Sequence, residues 1–161
     1  FLAHFRGTVS VWGDDDEGKQ NHAEVSIEKA TRINQLFYNL ARGHALACGR
    51  TQLEREDLWP CIELALHSAP YSRIKIMDAL IEYAGTINTG VVEGAMGCSN
   101  PTALKEIETL RVLDIVEVQE MKNGTVGRPE KIITIAEAFA WFCSDECKEL
   151  RAMQPSRTIS K

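Results

Sequence analysis

Apolar residues recur at two spacings along this chain, and the changes of spacing divide it into elements. Residues 5–12 alternate, with Val9 and Val11 on one side, and predict a strand. Residues 13–24 (GDDDEGKQNHAE) carry glycine, a run of acids and Asn, and predict a solvated loop. Helical spacing then begins. Ser26 is placed as an N-cap, and Ile33, Leu36, Phe37, Leu40, Ala41 and Ala45 fall at i, i+3, i+4, i+7 on one face. Gly49 suits the C′ position that ends this helix. After Leu53 as an extended link, Glu54–Asp57 put acids in the first turn of a second helix. Pro60 is tolerated early in it, and Leu58, Cys61, Ile62, Ala65 and Leu66 form its inner face.

Pro70 predicts a boundary. Beyond it Ile74, Met77, Leu80, Ile81 and Ala84 mark a helix capped by Gly85, and Thr86–Thr89 opens a short helix through Val91, Val92 and Ala95. Gly97 turns the chain, and Ser99 caps a longer helix with Leu104, Ile107, Leu110 and Leu113 inside. From Ile115 the period becomes two. Two strand-like runs, joined through Asn123-Gly124, predict a β-hairpin. A last helix is predicted over Ala136–Leu150, followed by a polar tail from Met153 to Lys161. The fold class is therefore mainly α with a small β-hairpin. It divides into an N-terminal strand, loop and helical unit (1–69), a helix-and-hairpin unit (70–135) and a C-terminal helix and tail (136–161).

Composition changes this picture little, and charge changes it more. The 161 residues are 44% hydrophobic and 25% charged, which is ordinary for a globular chain. No apolar run is long enough to span a bilayer, and Phe1–Gly7 lacks the features of a signal peptide. The chain reads as part of a longer protein. Its five cysteines, Cys48, Cys61, Cys98, Cys143 and Cys147, are odd in number and irregularly spaced. They argue for a reducing, cytoplasmic setting and mostly for burial as small hydrophobes. The net charge of −5 weighs against strong nucleic-acid binding, and residues 70–135 hold 7 Lys/Arg against 9 Asp/Glu. Any nucleic-acid surface is then a local patch, such as Lys122, Arg128 and Lys131.

Helix, short helix, tight turn, helix and β-ribbon is the order of a winged helix-turn-helix over about Tyr71–Ile135, with the helix-turn-helix in its second and third helices. The N-terminal residues of such a third helix reach base edges. Asn100 and Thr102 are short polar residues suited to base or phosphate contact, with Lys105 and Thr109 further along the outer face. The stretch Gly94–Leu110 followed by Gly127-Arg128-Pro129-Glu130-Lys131 resembles winged-helix transcriptional regulators. That resemblance implies Ser99–Leu113 in the major groove of double-stranded DNA. It also implies a wing (Lys122–Lys131) on the backbone, with Arg128 at the backbone or minor groove. Glu106, Glu108 and Glu130 depart from a basic pattern. The alternative is a protein-interaction or dimerisation module with no DNA contact.

A second resemblance lies upstream. Thr31–Ala45, then Thr51-Gln-Leu-Glu-Arg-Glu-Asp-Leu58, resembles the helical lid of AAA+ ATPases of the minichromosome-maintenance kind. It implies that Arg32 approaches the γ-phosphate of a nucleotide. No Gly-x-x-x-x-Gly-Lys-[Ser/Thr] occurs, so the expectation is that this chain is not itself an enzyme. ATP and Mg²⁺ would belong to the remainder of the parent protein. Two i, i+4 pairs, His44/Cys48 and Cys143/Cys147, have helical metal-ligand spacing, but nothing brings them together, and packing is the expectation. Asp14–Asp16 likewise reads as a turn rather than a cation site. Trp12, Trp59 and Trp141 are expected as core or interface anchors. By resemblance, Trp141-Phe142 packs across a homodimer two-fold.

Overall fold

The protein is mainly helical with small antiparallel sheets. In the computed structural model the described residues are 1–14, 20–121 and 130–153, with side chains described for 1–10, 24–120 and 130–153. The expected tail, the Asn123-Gly124 connection and the Trp12 side chain lie outside these residues.

A short helix α1 (Leu2–Phe5) leads into β1 (Thr8–Asp14), which pairs antiparallel with β2 (Gln20–Ser26) in the register Thr8↔Ser26, Val9↔Val25 and Ser10↔Glu24. The expected loop over 13–24 is therefore corrected, since its second half is a strand. Polar Gln20–Glu24 carries little strand propensity, and the partner strand supplies the ladder that local sequence does not announce. Ser26 ends β2 and is not an N-cap. Helix α2 (Ala30–Ala47) starts after Lys29, with no side-chain cap. It ends as expected at Gly49, whose φ of +76° is the left-handed C′ conformation, with the Arg50 N–H on the Ala45 carbonyl. Ile33, Ala41 and Ala45 are buried, but Leu36 is exposed. Among the described residues α1, the turn after α2 and the next helix make the main contacts with α2, so its buried face is narrow.

The acids Glu54–Asp57 do not begin an α-helix. Arg55–Leu58 is a 3-10 turn closed by a capping box between Glu54 and Asp57, and α3 (Trp59–His67) follows with Pro60 in its first turn.

Next come α4 (Tyr71–Glu82), β3 (Thr86–Asn88), α5 (Thr89–Met96), α6 (Asn100–Val112), β4 (Val116–Met121) and β5 (Glu130–Ile135). Thr86–Asn88 is a strand rather than the opening of a helix, because the Ile132–Thr134 edge of β5 is open to pair with it. The helix begins one residue later under Asn88, whose Oδ1 accepts from the Val91 N–H at 2.9 Å. The sheet order is β3-β5-β4, all antiparallel.

Gly97, at φ +63°, makes the tight turn between α5 and α6. At the end of α4 the left-handed C′ residue is Ala84 (φ +55°) and not Gly85, which follows at φ +93° and donates to the Leu80 carbonyl. Asp114 (φ +56°) holds the same place after α6, with Ile115 N–H on Leu110 O at 3.0 Å.

The single C-terminal helix is also corrected. Glu137–Cys143 is 3-10, Ser144 is extended at ψ 158°, and α7 spans Asp145–Ala152. Ser144 Oγ accepts from Cys147 N–H, and Asp145 and Glu146 fill the first turn, so a fresh N-cap interrupts the run. Cys143 and Cys147 therefore sit on different elements.

One core gathers Ile76, Met77 and Leu80 of α4 with Ile107 and Leu110 of α6, Ile133 of β5, Leu150 of α7, Leu66 of α3 and Phe5 of α1. This core crosses Pro70. Arg73 anchors the crossing: its buried guanidinium donates to the carbonyls of Phe5 (2.9 Å) and Gly7 (2.8 Å) and pairs with Glu106 at 3.2 Å. Phe1 stacks on Phe5 and packs on Phe142. Cys61 and Cys147 are buried, Cys98 and Cys143 half-buried and Cys48 exposed, so the expectation of mostly buried thiols holds for two of the five.

Candidate nucleic-acid interface

The turn at Gly97 sets where α6 begins, and Pro101 stands early in its first turn. Ser99 occupies the N-cap position but does not bond a backbone N–H. Its hydroxyl lies 3.2 Å from that of Thr102 instead. Thr102, Lys105 and Thr109 then fall on one face at i, i+3, i+7. Thr102 and Lys105 are exposed, whereas Thr109 is half-buried and turns its hydroxyl back to the Lys105 carbonyl at 3.0 Å. The outer face thus offers two hydroxyls and one ammonium. Arg111, two residues beyond Thr109 and off that face, is held by both oxygens of Glu108 at 2.8 and 2.5 Å, and this contact raises its pKa further.

Asn100 does not join that face. It turns into a cleft of about 400 Å³ between α5, α6 and the β4–β5 hairpin, where its amide donates to Glu93 and its buried Oδ1 has no partner among the described residues. Leu104, Glu120, Glu130 and Lys131 line the same cleft. Each carboxylate there meets a donor: Glu130 accepts from Asn88 Nδ2 at 2.7 Å, and Glu120 pairs with Lys131 at 3.5 Å directly across the hairpin. Lys131 is half-buried and its ammonium faces the Glu120 carboxylate. Lys122 and Arg128 lie outside the described residues. The structure brings Asn100 and Lys131 together, with Thr102 and Lys105 on the neighbouring face of the same helix. Glu93 and Glu120, which with Glu130 make the cleft acidic, were not singled out by sequence. Their role depends on the hairpin folding back on α5.

Arg32 stands in the first turn of α2 with its side chain 88% exposed and Glu28 Oε1 3.7 Å away. At the other end of α2 lies a buried charge cluster. Asp57, 1% exposed, accepts from the Glu54 N–H (2.8 Å), Arg50 (2.6 Å) and His44 (2.7 Å). Arg50 also reaches Glu54 at 2.7 Å and Glu56. Burial works to raise the Asp57 pKa. The Glu54 hydrogen bond, the His44 hydrogen bond and the Arg50 charge outweigh it and hold the carboxyl below its ordinary value. His44 is thus committed to Asp57 rather than to a pair with Cys48. Sequence reasoning missed this cluster because its members are split between a helix end and a turn.

Asp14 ends β1, while Asp15 and Asp16 are outside the described residues. Among the described residues no group of three His, Cys, Asp or Glu side chains is arranged to hold a metal ion, and no helix is long and apolar enough to cross a membrane. Trp141 is 39% exposed, with its indole N–H on Glu146 at 2.9 Å, while Phe142 packs inward on Phe1. Trp59 is half-buried beside His44, with its indole N–H unpartnered among the described residues. Compared with protein-family models, curated proteins and solved structures, the chain matches none.

Proposed function

We propose that residues 71–135 form a winged helix-turn-helix that docks α6 on duplex DNA, as one module of a larger protein. The observation that carries this reading is the topology. Helix, strand, helix, left-handed turn, helix and hairpin succeed one another, the sheet runs β3-β5-β4, and the outer face of α6 is left uncovered with Thr102 and Lys105 exposed. A short polar face of this kind suits contact with base edges and phosphates. With Lys105 the one cation on that face among the described residues, the reading implies weak binding and a shallow salt dependence. The test is a duplex titration of the intact chain at two salt concentrations. Salt-sensitive binding that weakens in Lys105→Ala and Arg128→Ala supports the reading, and no binding at low salt sinks it.

A second reading, a protein-interaction module, is favoured by one observation: Glu93, Glu120 and Glu130 line the cleft beside α6, where a phosphate would be repelled. It predicts a stable dimer or partner complex with no DNA affinity.

We also propose that α2 and α3 act as the lid of an ATPase whose phosphate-binding loop lies elsewhere in the parent protein. The exposure of Arg32 supports this role. In the parent protein Arg32→Ala should then cut ATP hydrolysis while leaving nucleotide binding largely intact, and unchanged hydrolysis would exclude the role.

A further inference from the structure

Among the described residues, the most basic surface of this acidic chain lies on α2. Residues 29–53 hold four of the 18 Lys/Arg and none of the 23 Asp/Glu, leaving 14 against 23 for the rest. Within α2 the solvent face runs Arg32, Gln35, Asn39 and Arg42 at i, i+3, i+7 and i+10, a stripe that stays on one side for almost three turns. All four are exposed. Gln35 Nε2 donates to Asn39 Oδ1 at 3.2 Å, and the Arg42 guanidinium lies 5.6 Å over the Tyr38 ring, so three of these side chains are pre-ordered. Arg50, the fourth cation, is already spent on Glu54, Glu56 and Asp57.

Resting on the DNA-binding reading above, and in place of the lid role for Arg32, we infer that this stripe is a second contact for the duplex, gripping its phosphate backbone without reading sequence. Charge complementarity selects the occupant: arginines with interleaved amides and a tyrosine are donors to phosphate oxygens, and no carboxylate lies within α2, although Glu28, two residues before it, pairs with Arg32 at 3.7 Å and would have to release it. The two arginines stand about 15 Å apart along the axis. That is on the scale of a major groove about 12 Å wide, so they can hold phosphates on its two walls. The contact supplies the positive charge that the cleft beside α6 lacks.

The experiment is a fluorescence-anisotropy titration of the whole chain with a labelled duplex over a series of salt concentrations. It compares wild type, Arg42→Gln, Arg42→Lys, Gln35→Ala/Asn39→Ala and Lys105→Ala, each checked for fold by circular dichroism. Losing one phosphate contact should lower the slope of log affinity against log salt by about 0.9. Arg42→Gln should show that drop with any duplex sequence, the amide double variant should weaken binding several-fold, and Arg42→Lys should restore the slope. If Lys105→Ala weakens binding while Arg42→Gln and the amide variant bind as wild type, the stripe is not the contact and the α6 reading survives alone. If wild type binds no duplex, both fall, and capture of an acidic protein by the same face would assign it to a protein partner instead.

Discussion

Asp57 shows at the scale of one residue how a site can be built from local sequence and still escape a reading of it. Glu54 and Asp57 read as helix-opening acids, and their capping box does form. The buried ion network around Asp57 depends on Arg50 and His44 arriving from the end of α2. Because the folded pKa of Asp57 lies below its ordinary value near 3.8, its contribution is complete above that value. It is lost as pH falls through the folded pKa. Asp57→Asn should therefore lower the thermal unfolding midpoint at pH 7, and the gap from wild type should narrow progressively as pH falls below about 4. A gap independent of pH would show that packing, not charge, holds the turn. Gly7 makes a second residue-scale prediction. A Cβ there would meet Leu113 Cδ2 at 2.6 Å and the His4 carbonyl at 2.9 Å. Gly7→Ala should cost about 1–3 kcal/mol in denaturant unfolding, whereas Gly43→Ala, with open space around it, should not destabilise.

Elements were most legible where a period persisted. The inner faces of α4 and α6 and the β4–β5 alternation all follow from spacing, because each packs against one core. They were least legible where a partner decided the structure. Polar β2 is a strand because β1 pairs with it, and β3 is a strand because β5 has a free edge. The break at Ser144 was readable from Ser-Asp-Glu, a cap followed by acids, but the aromatic run before it suggested one continuous helix. Within the candidate interface the sequence placed Thr102 and Lys105 on the outer face of α6. It could not place Asn100, whose neighbour Glu93 is reached only across the Gly97 turn. Arg73 was invisible for a similar reason, since it ties α4 to carbonyls more than sixty residues away. Arg73→Ala leaves two buried acceptors short of a donor, at about 1–3 kcal/mol each. It should lower stability and speed amide exchange over residues 2–9. Unchanged exchange there would mean that Phe5 packing alone retains α1.

At the scale of the whole molecule α1 and α3 share a core with the helix-and-hairpin unit across the boundary expected at Pro70. Arg55 pairs with Glu146 at 2.8 Å and Arg151 with Glu63 at 2.8 Å, adding two links from the turn before α3 and from α3 itself to α7. Substituting Leu110, fully enclosed in this core, by Ala should cost about 2–5 kcal/mol and shift probes on both sides of Pro70 together. Two separate transitions would contradict the shared core. The most direct test of the winged-helix reading is duplex binding by the intact chain near 50 mM and near 200 mM salt. DNA docking through α6 predicts measurable affinity at the lower salt, a fall at the higher, and a further loss in Lys105→Ala. No binding at the lower salt, with a stable dimer or protein complex in its place, would contradict it.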